Sequence, residues 1–162
     1  MLRPVPERPQ SAASVAIGSD HAGFGYKEDL ARLMREEGHE VTDVGTYDTA
    51  SADYPDYAEK VALAIRNGEA DRGVLICGSA VGVCVAANKV PGVRAGVSHD
   101  TYSAHQGVEH DDMNVLCMGE RIIGIELARE ILRTFLSARY EAEERFQRRL
   151  DKVLAIEKNW LK

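Results

Sequence analysis

One stretch constrains the fold more than any other. It covers residues 74–89 and reads Val-Leu-Ile-Cys-Gly-Ser-Ala-Val-Gly-Val-Cys-Val-Ala-Ala-Asn-Lys. It begins as a short apolar run, typical of a strand buried on both faces. It then turns through residues 78–82 and continues as a small-residue helix over 83–89. This unit places Cys77 beside a helix N-terminus, at the edge where open α/β sheets bind ligands. We expect a small anionic ligand there; the alternative is a cysteine that only fills a strand end.

Short apolar runs and amphipathic stretches alternate along the rest of the chain. Strands are predicted at 15–19, 40–44, 73–77, 93–97 and 115–118, and helices at about 24–37, 54–67, 83–89, 101–108, 123–136 and 141–159. This alternation predicts an α/β fold, a three-layer αβα sandwich around a five-stranded parallel sheet of Rossmann-like or flavodoxin-like type. An extended C-terminal helix is added to it. The order of the strands stays open.

Length and composition limit the domain organisation and the partners. The 162 residues predict one domain, 15–162, after a disordered extension at 1–14 that has three prolines and no apolar signal core. A net charge of -6 argues against nucleic acid as the main partner. Since no apolar run is long enough to span a bilayer, no membrane partner is expected. Three cysteines without a close C-x-x-C pair indicate a reducing, cytoplasmic compartment.

Polar side chains follow three of the predicted strands at the point where each strand ends. They are Asp20 and His21, then Cys77 and Ser79, then His99 and Asp100. Because the carboxyl ends of parallel strands meet at one edge of a sheet, we expect these groups to converge there.

Residues 109–114, Glu-His-Asp-Asp-Met-Asn, are predicted as a loop before the fifth strand. The segment can be merely solvated. In a functional interpretation, His110 acts as an acid–base group, since imidazole titrates near neutral pH. A third possibility is a metal site of His105, His110 and Asp112, whose spacing matches no standard motif.

The last predicted helix carries two arginines on one face, Arg145 and Arg149, four residues apart. They can form salt bridges with neighbouring glutamates on a solvated surface, or clamp a phosphate group. The apolar stripe on this helix can pack on its own domain or on a second subunit. We favour the second subunit because the sheet already has enough helices to cover it.

Several motifs occur together in a recognisable order. They are 18–23 (GSDHAG), 53–55 (DYP), 77–82 (CGSAVG), 86–89 (AANK), 109–110 (EH), 119–124 (GERIIG) and the pair Arg145-x-x-x-Arg149. From about residue 15 to 156 the chain resembles ribose-5-phosphate isomerase type B and the related galactose-6-phosphate isomerase subunits. The resemblance implies an aldose–ketose isomerase, most simply of ribose 5-phosphate, that uses no metal or organic cofactor. It also implies a homodimer or dimer of dimers whose active sites are shared between subunits.

The resemblance also implies catalytic roles for individual residues. Cys77 resembles the base that moves a proton between C1 and C2, and a thiolate is stabilised near a helix N-terminus. Asp20 would bind sugar hydroxyls, and His110 would assist ring opening. The Ser79 hydroxyl and the backbone amides of the turn would hold the enediolate oxygen. The residues of that turn are Gly78, Ser79, Ala80, Val81 and Gly82.

The phosphate contacts implied by the resemblance come from four basic residues, with Arg145 and Arg149 supplied by the partner subunit. The four are His21, Arg121, Arg145 and Arg149. Tyr54 would line the site, and a remote phosphate can position the substrate without changing the bonds that react.

Two residues depart from the family pattern. Asp111 stands where the family usually has Asn, and an ionised carboxylate only accepts hydrogen bonds. Ala80 replaces the middle glycine of the turn, which restricts the backbone. These departures leave the sugar open, with erythrose 4-phosphate, allose 6-phosphate and galactose 6-phosphate as alternatives. The alternative from another class is a non-catalytic sugar-phosphate sensor.

Overall fold

The computed structural model describes residues 12–160, and its centre is one five-stranded parallel sheet. The strands are β1 (Ser14–Ser19), β2 (Glu40–Asp43), β3 (Arg72–Cys77), β4 (Ala95–Val97) and β5 (Val115–Gly119). Their order in the sheet is β2-β1-β3-β5-β4. Strand β3 is therefore the central strand, paired with β1 through Ile17↔Val74 and with β5 through Leu75↔Cys117. Cys77 is its last residue.

Within residues 12–160, six α-helices connect and follow the strands. They are α1 (Phe24–Glu36), α2 (Tyr54–Arg66), α3 (Val81–Ala87), α4 (Thr101–Asp111), α5 (Ile125–Ser137) and α6 (Glu144–Trp160). A short 3-10 turn, His21–Gly23, precedes α1.

The core consists of two apolar layers, one on each face of the sheet, because successive strand side chains point to opposite faces. Ile17, Val74 and Leu116 face the layer covered by α1, α4 and α5. Leu75 and Cys77 face the layer covered by α2 and α3. The predicted three-layer αβα fold is confirmed, and the structure adds the strand order that the sequence left open.

Several predicted boundaries differ from the structure. Helix α3 begins at Val81, two residues earlier than predicted, because Ala80 adopts a left-handed conformation that closes the turn. Strand β4 begins two residues later, at Ala95. Helix α4 continues to Asp111, so His110 lies in a helix rather than in the predicted loop. Helix α6 begins at Glu144 rather than at residue 141.

The apolar stripe of α6 divides between two environments. Phe146 and Leu150 are buried against their own domain, next to α4, which is the alternative the sequence did not favour. Further along the helix, Val153, Ile156 and Trp160 are 50%, 62% and 80% exposed. Only the first part of the stripe therefore belongs to the core of this chain.

The two ends of the chain fall partly outside the described residues. Residues 1–11 of the predicted extension and the last two residues of the predicted domain lie outside them. Within the extension, Ala13 is buried and Ser14 already begins β1. Across residues 12–160, no helix has both the length and the apolar character needed to cross a bilayer.

Candidate active site

A cleft of about 470 Å³ opens at the carboxyl edge of the sheet, where β1, β3 and β5 end. This is the edge at which open parallel sheets bind ligands. Eight of the predicted site residues line the cleft: Asp20, His21, Tyr54, Cys77, Gly78, Ser79, Gly82 and Arg121.

Cys77 is held at the base of this cleft by the end of β3. Its side chain is 5% exposed, and its sulfur accepts a hydrogen bond from the Ala80 backbone N–H at 3.1 Å. Ala80 itself has a left-handed backbone conformation, with φ of 73°, and is the N-cap from which α3 starts. An N–H directed at a sulfur stabilises negative charge on it, as a thiolate base requires.

The 3-10 turn after β1 fixes Asp20 and His21. Asp20 Oδ1 accepts hydrogen bonds from the N–H groups of Ala22 at 3.0 Å and Gly23 at 3.2 Å. His21 Nδ1 lies 3.1 Å from the Ala52 backbone nitrogen and 3.3 Å from the Ala52 carbonyl oxygen, so the ring is held against the backbone of that residue. Both side chains are thus held by backbone groups while they line the cleft.

Arg121 lies in the loop after β5, and backbone hydrogen bonds join that loop to the end of β3. The Glu120 N–H donates to the Cys77 carbonyl at 2.9 Å, and the Arg121 N–H donates to the Gly78 carbonyl at 3.1 Å. The cleft therefore contains two basic side chains, Arg121 and His21, which suits an anionic group of a ligand.

Tyr54 supplies an aromatic wall at the start of α2. Its ring packs so closely on Gly82 that a Cβ atom there would lie 2.8 Å from it. Gly82 is therefore needed for the approach of Tyr54. Asp53 is the N-cap of α2, but its side chain forms no capping hydrogen bond.

The structure does not bring the remaining predicted residues into this cleft. The six that do not line it are Ala80 and Val81 of the turn, and His110, Asp111, Arg145 and Arg149. Helix α4 begins after β4, at the carboxyl edge of the sheet, and ends before β5 begins. Its 11 residues span about 16 Å at the usual rise. His110, in the last turn, therefore lies at the opposite edge of the sheet from Cys77 within one chain.

His110 belongs instead to a second group of side chains, which we call the Phe146 cluster and define as His110, Phe146 and Arg145. The His110 and Phe146 rings are stacked, with centroids 4.0 Å apart and an interplanar angle of 17°. The Arg145 guanidinium lies 4.5 Å from the Phe146 centroid. Gln106 Nε2 lies 3.1 Å from His110 Nδ1, which orients the ring. Arg149 follows Arg145 by one turn of α6 and is exposed.

The polar groups after β4 have structural roles. His99 Nε2 accepts from the Gly119 N–H at 2.9 Å. Asp100 caps α4 by accepting from the Ser103 N–H at 2.6 Å, and this bond lowers the pKa of Asp100. His99 thus lies at the predicted edge of the sheet, because Gly119 is the residue that pairs with Cys77. Neither His99 nor Asp100, however, lines the cleft.

The metal interpretation of residues 105–112 receives no support from the geometry. His105 is 2.9 Å from Glu109, and Asp112 is paired with Arg94 at 2.8 Å. Within residues 12–160, no three His, Cys, Asp or Glu side chains lie close enough together to hold a metal ion.

Two residues near these sites were not singled out by the sequence for the contacts they make. Phe146 was predicted only as part of an apolar stripe, yet it is 2% exposed and stacks on His110. Glu120 lay inside a recognised motif without a role, yet its carboxylate accepts from the Tyr26 N–H at 3.1 Å. No local signal reports either contact, because each joins segments far apart in the chain.

The fold and the cleft are typical of α/β enzymes that act on small anionic substrates. The features that indicate this class are the parallel sheet covered on both faces, the buried thiol that accepts a backbone N–H, and the two basic side chains in the cleft.

The comparisons with known proteins specify the family. A family model described as Ribose/Galactose Isomerase matches residues 15–153. Ribose-5-phosphate isomerase B of Escherichia coli K12 is 46% identical over 88% of this chain and 95% of its own. D-erythrulose-4-phosphate isomerase 2 of Mycolicibacterium smegmatis is 40% identical over 90% of this chain and 98% of its own. The solved structure of Clostridium thermocellum ribose-5-phosphate isomerase B superposes with a TM-score of 0.89 at 44% identity, covering 91% of this chain and 99% of that one. The chain belongs to the ribose/galactose isomerase family and is a sugar-phosphate isomerase.

Proposed function

We propose that this protein interconverts ribose 5-phosphate and ribulose 5-phosphate through an enediolate, without a metal or organic cofactor. The observation that carries the proposal is the Cys77 sulfur at the end of the central strand, 3.1 Å from the Ala80 N–H, in a cleft with two basic side chains. A proton next to a carbonyl needs a positioned base, and a developing oxyanion needs fixed donors.

In the proposed reaction, the Cys77 thiolate removes the proton from C2 of the open-chain aldose. The same thiol then delivers a proton to C1, while the hydroxyl proton on O2 moves to O1. Apart from that of Ala80, the backbone amides of residues 78–82 stabilise the enediolate oxygen together with the exposed Ser79 hydroxyl, and Asp20 orients the sugar hydroxyls. The Ala80 amide already faces the sulfur and serves the base.

The phosphate is assigned to His21 and Arg121 in this cleft, together with Arg145 and Arg149 of a second copy. Guanidinium groups bind phosphate oxygens through paired N–H donors. The phosphate is on C5, remote from the reacting atoms C1 and C2. Its binding therefore positions the substrate without taking part in the bond changes.

We also propose that two copies of the chain share each active site, as a homodimer or a dimer of dimers. Support comes from the positions of Cys77 and His110 at opposite edges of the sheet in one chain. Exposed apolar side chains near the cleft offer a surface for a second copy; they are Val81, Val85, Val97 and Tyr102, at 57%, 56%, 41% and 66% exposure. In such an assembly the partner contributes His110 for ring opening, and Asp111 beside it contacts the sugar.

A four-carbon substrate is the second candidate, favoured by the 40% identity to D-erythrulose-4-phosphate isomerase 2. Asp111 bears on this choice because a carboxylate reads sugar hydroxyls differently from an amide. Comparing kcat/KM over four-, five- and six-carbon sugar phosphates distinguishes the candidates.

The compartment we propose is the cytoplasm, supported by the three cysteines, all free.

Purified protein with ribose 5-phosphate in D2O tests the reaction by proton NMR. Ketose formation with deuterium entering C2 of the aldose is the expected result. Phosphate binding with no exchange on any sugar phosphate would refute the proposed reaction and favour the sensor.

A further inference from the structure

The loop that carries Arg121 is held by hydrogen bonds on two sides. On one side, backbone bonds join it to Cys77 and Gly78. On the other, the Glu120 carboxylate accepts from the Tyr26 N–H at 3.1 Å, and the Tyr26 hydroxyl donates to the Ile123 carbonyl at 2.7 Å. Burial and the nearby charge of Glu120 raise the pKa of Tyr26, so its hydroxyl keeps the donated proton. The loop is therefore fixed between β3 and α1.

The Glu120 carboxylate caps the first turn of α1. The N-cap of that helix, Gly23, provides no side-chain hydrogen bond. A Cβ atom at Gly25 would lie 3.0 Å from Glu120 Oε1, so a glycine there allows the carboxylate to lie against the first turn. A negative charge at this position satisfies a helix N–H and the positive end of the helix dipole.

The two elements joined by Glu120 are those that carry the basic side chains of the cleft. The 3-10 turn leading into α1 carries His21, and the loop after β5 carries Arg121. We propose that Glu120 is a positioning residue that sets the spacing between His21 and Arg121 and thereby builds the phosphate subsite. It also occupies the N-terminus of α1, a place that would otherwise attract the phosphate.

This inference rests on the proposed function, because it assigns the phosphate to His21 and Arg121. It makes a prediction that differs from a purely structural role. Loss of the acceptor loosens the subsite, so binding of phosphate weakens while the proton transfer at Cys77 continues. Loss of the Glu120 acceptor should therefore raise KM and leave kcat nearly unchanged.

The test compares Glu120→Ala with Glu120→Gln, which keeps an acceptor oxygen of similar reach. For Glu120→Ala we expect KM for ribose 5-phosphate to rise about tenfold with kcat within about twofold, and for Glu120→Gln a KM within about threefold of wild type. Glu126→Gln is the matched control, since that side chain is 82% exposed and paired with Arg129 on α5. It removes the same charge and should leave both constants unchanged.

Calorimetric titration with inorganic phosphate separates this inference from the proposed reaction, because it needs no turnover. The weaker phosphate binding expected for Glu120→Ala supports the positioning role even if ribose 5-phosphate is not a substrate. An unchanged phosphate affinity in folded Glu120→Ala would overturn it. A tighter affinity in both variants would also overturn it, since the carboxylate would then only repel the ligand. If Glu120→Ala does not fold, Glu120→Asp, which keeps the charge but shortens the side chain so that its carboxylate is withdrawn from the Tyr26 N–H, must weaken phosphate binding for the inference to stand.

Discussion

The cleft around Cys77 and the Phe146 cluster differ in how they are built. The cleft is fixed by backbone: the Ala80 amide holds the sulfur, the Ala52 amide holds His21, and two strand-end carbonyls hold the Arg121 loop. The Phe146 cluster is built from side chains stacked on one ring at the far edge of the sheet. The first region can position atoms for bond changes, whereas the second combines a partly buried imidazole with an exposed guanidinium. Each contains what the other lacks, so we infer that they are two halves of one site.

The largest effect is expected at the base. Cys77→Ala removes the proposed proton acceptor, so kcat should fall by at least about 10³-fold while affinity for inorganic phosphate changes less than about twofold. Deuterium incorporation at C2 in D2O measures the first quantity and calorimetry the second. A variant that keeps full activity would show that Cys77 is not the base.

A smaller effect is expected for the basic face of α6. Arg149→Ala should raise KM for ribose 5-phosphate about tenfold with little change in kcat, because it removes a proposed phosphate contact. The matched control is Arg148→Ala, since Arg148 is paired with Glu144 at 2.9 Å on the neighbouring flank. Equal changes in both variants would mean that net charge, rather than a specific contact, binds the substrate.

The fixed backbone of the cleft carries a strain that can be measured. Ala80 has φ of 73°, which a glycine adopts more readily, so Ala80→Gly should raise the free energy of unfolding by about 1 kcal/mol. Ala86→Gly, in the ordinary helical part of α3, should lower it by about 1 kcal/mol. Urea unfolding of both variants checks the opposite signs. If Ala80→Gly is destabilising, the turn is not strained by the methyl group.

The smallest expected effect is a difference in reactivity between the Cys84 and Cys117 thiols. A hydrogen bond from Cys117 lowers the pKa of Cys84 to about 7, whereas that same bond and burial raise the pKa of Cys117 well above its ordinary value. The rate at which iodoacetamide alkylates Cys84 should therefore rise with pH along a titration curve with a midpoint of about 7, and Cys117 should not react. A midpoint near an ordinary thiol value would contradict this, and Cys84→Ser identifies the signal.

Most of the fold follows from local patterns. The apolar run ending at Cys77 and the small-residue turn after it are contiguous in sequence, so the strand, the turn and the exposed ligand edge could be predicted together. The groups after β1 could be placed at that edge for the same reason. The order β2-β1-β3-β5-β4 could not, because pairing between strands depends on packing over long distances.

The division of the site into two regions was harder to predict. His110 was assigned to a loop because its neighbours are polar, but α4 continues through it and places it beside Phe146. The bond between Glu120 and Tyr26 joins residues 94 positions apart, and no periodicity or capping motif reports such a contact. What sequence patterns miss here is side-chain contact between distant elements.

Complementation tests the central claim, that one active site combines the two regions from different copies. Cys77→Ala and His110→Ala chains, each nearly inactive alone, are co-expressed with different tags, and melting temperatures confirm that both fold. A mixed dimer contains one site with both residues intact, so random pairing should restore about one quarter of wild-type activity. Activity of the mixture no higher than that of the separate variants would contradict the account and place the complete site within a single chain.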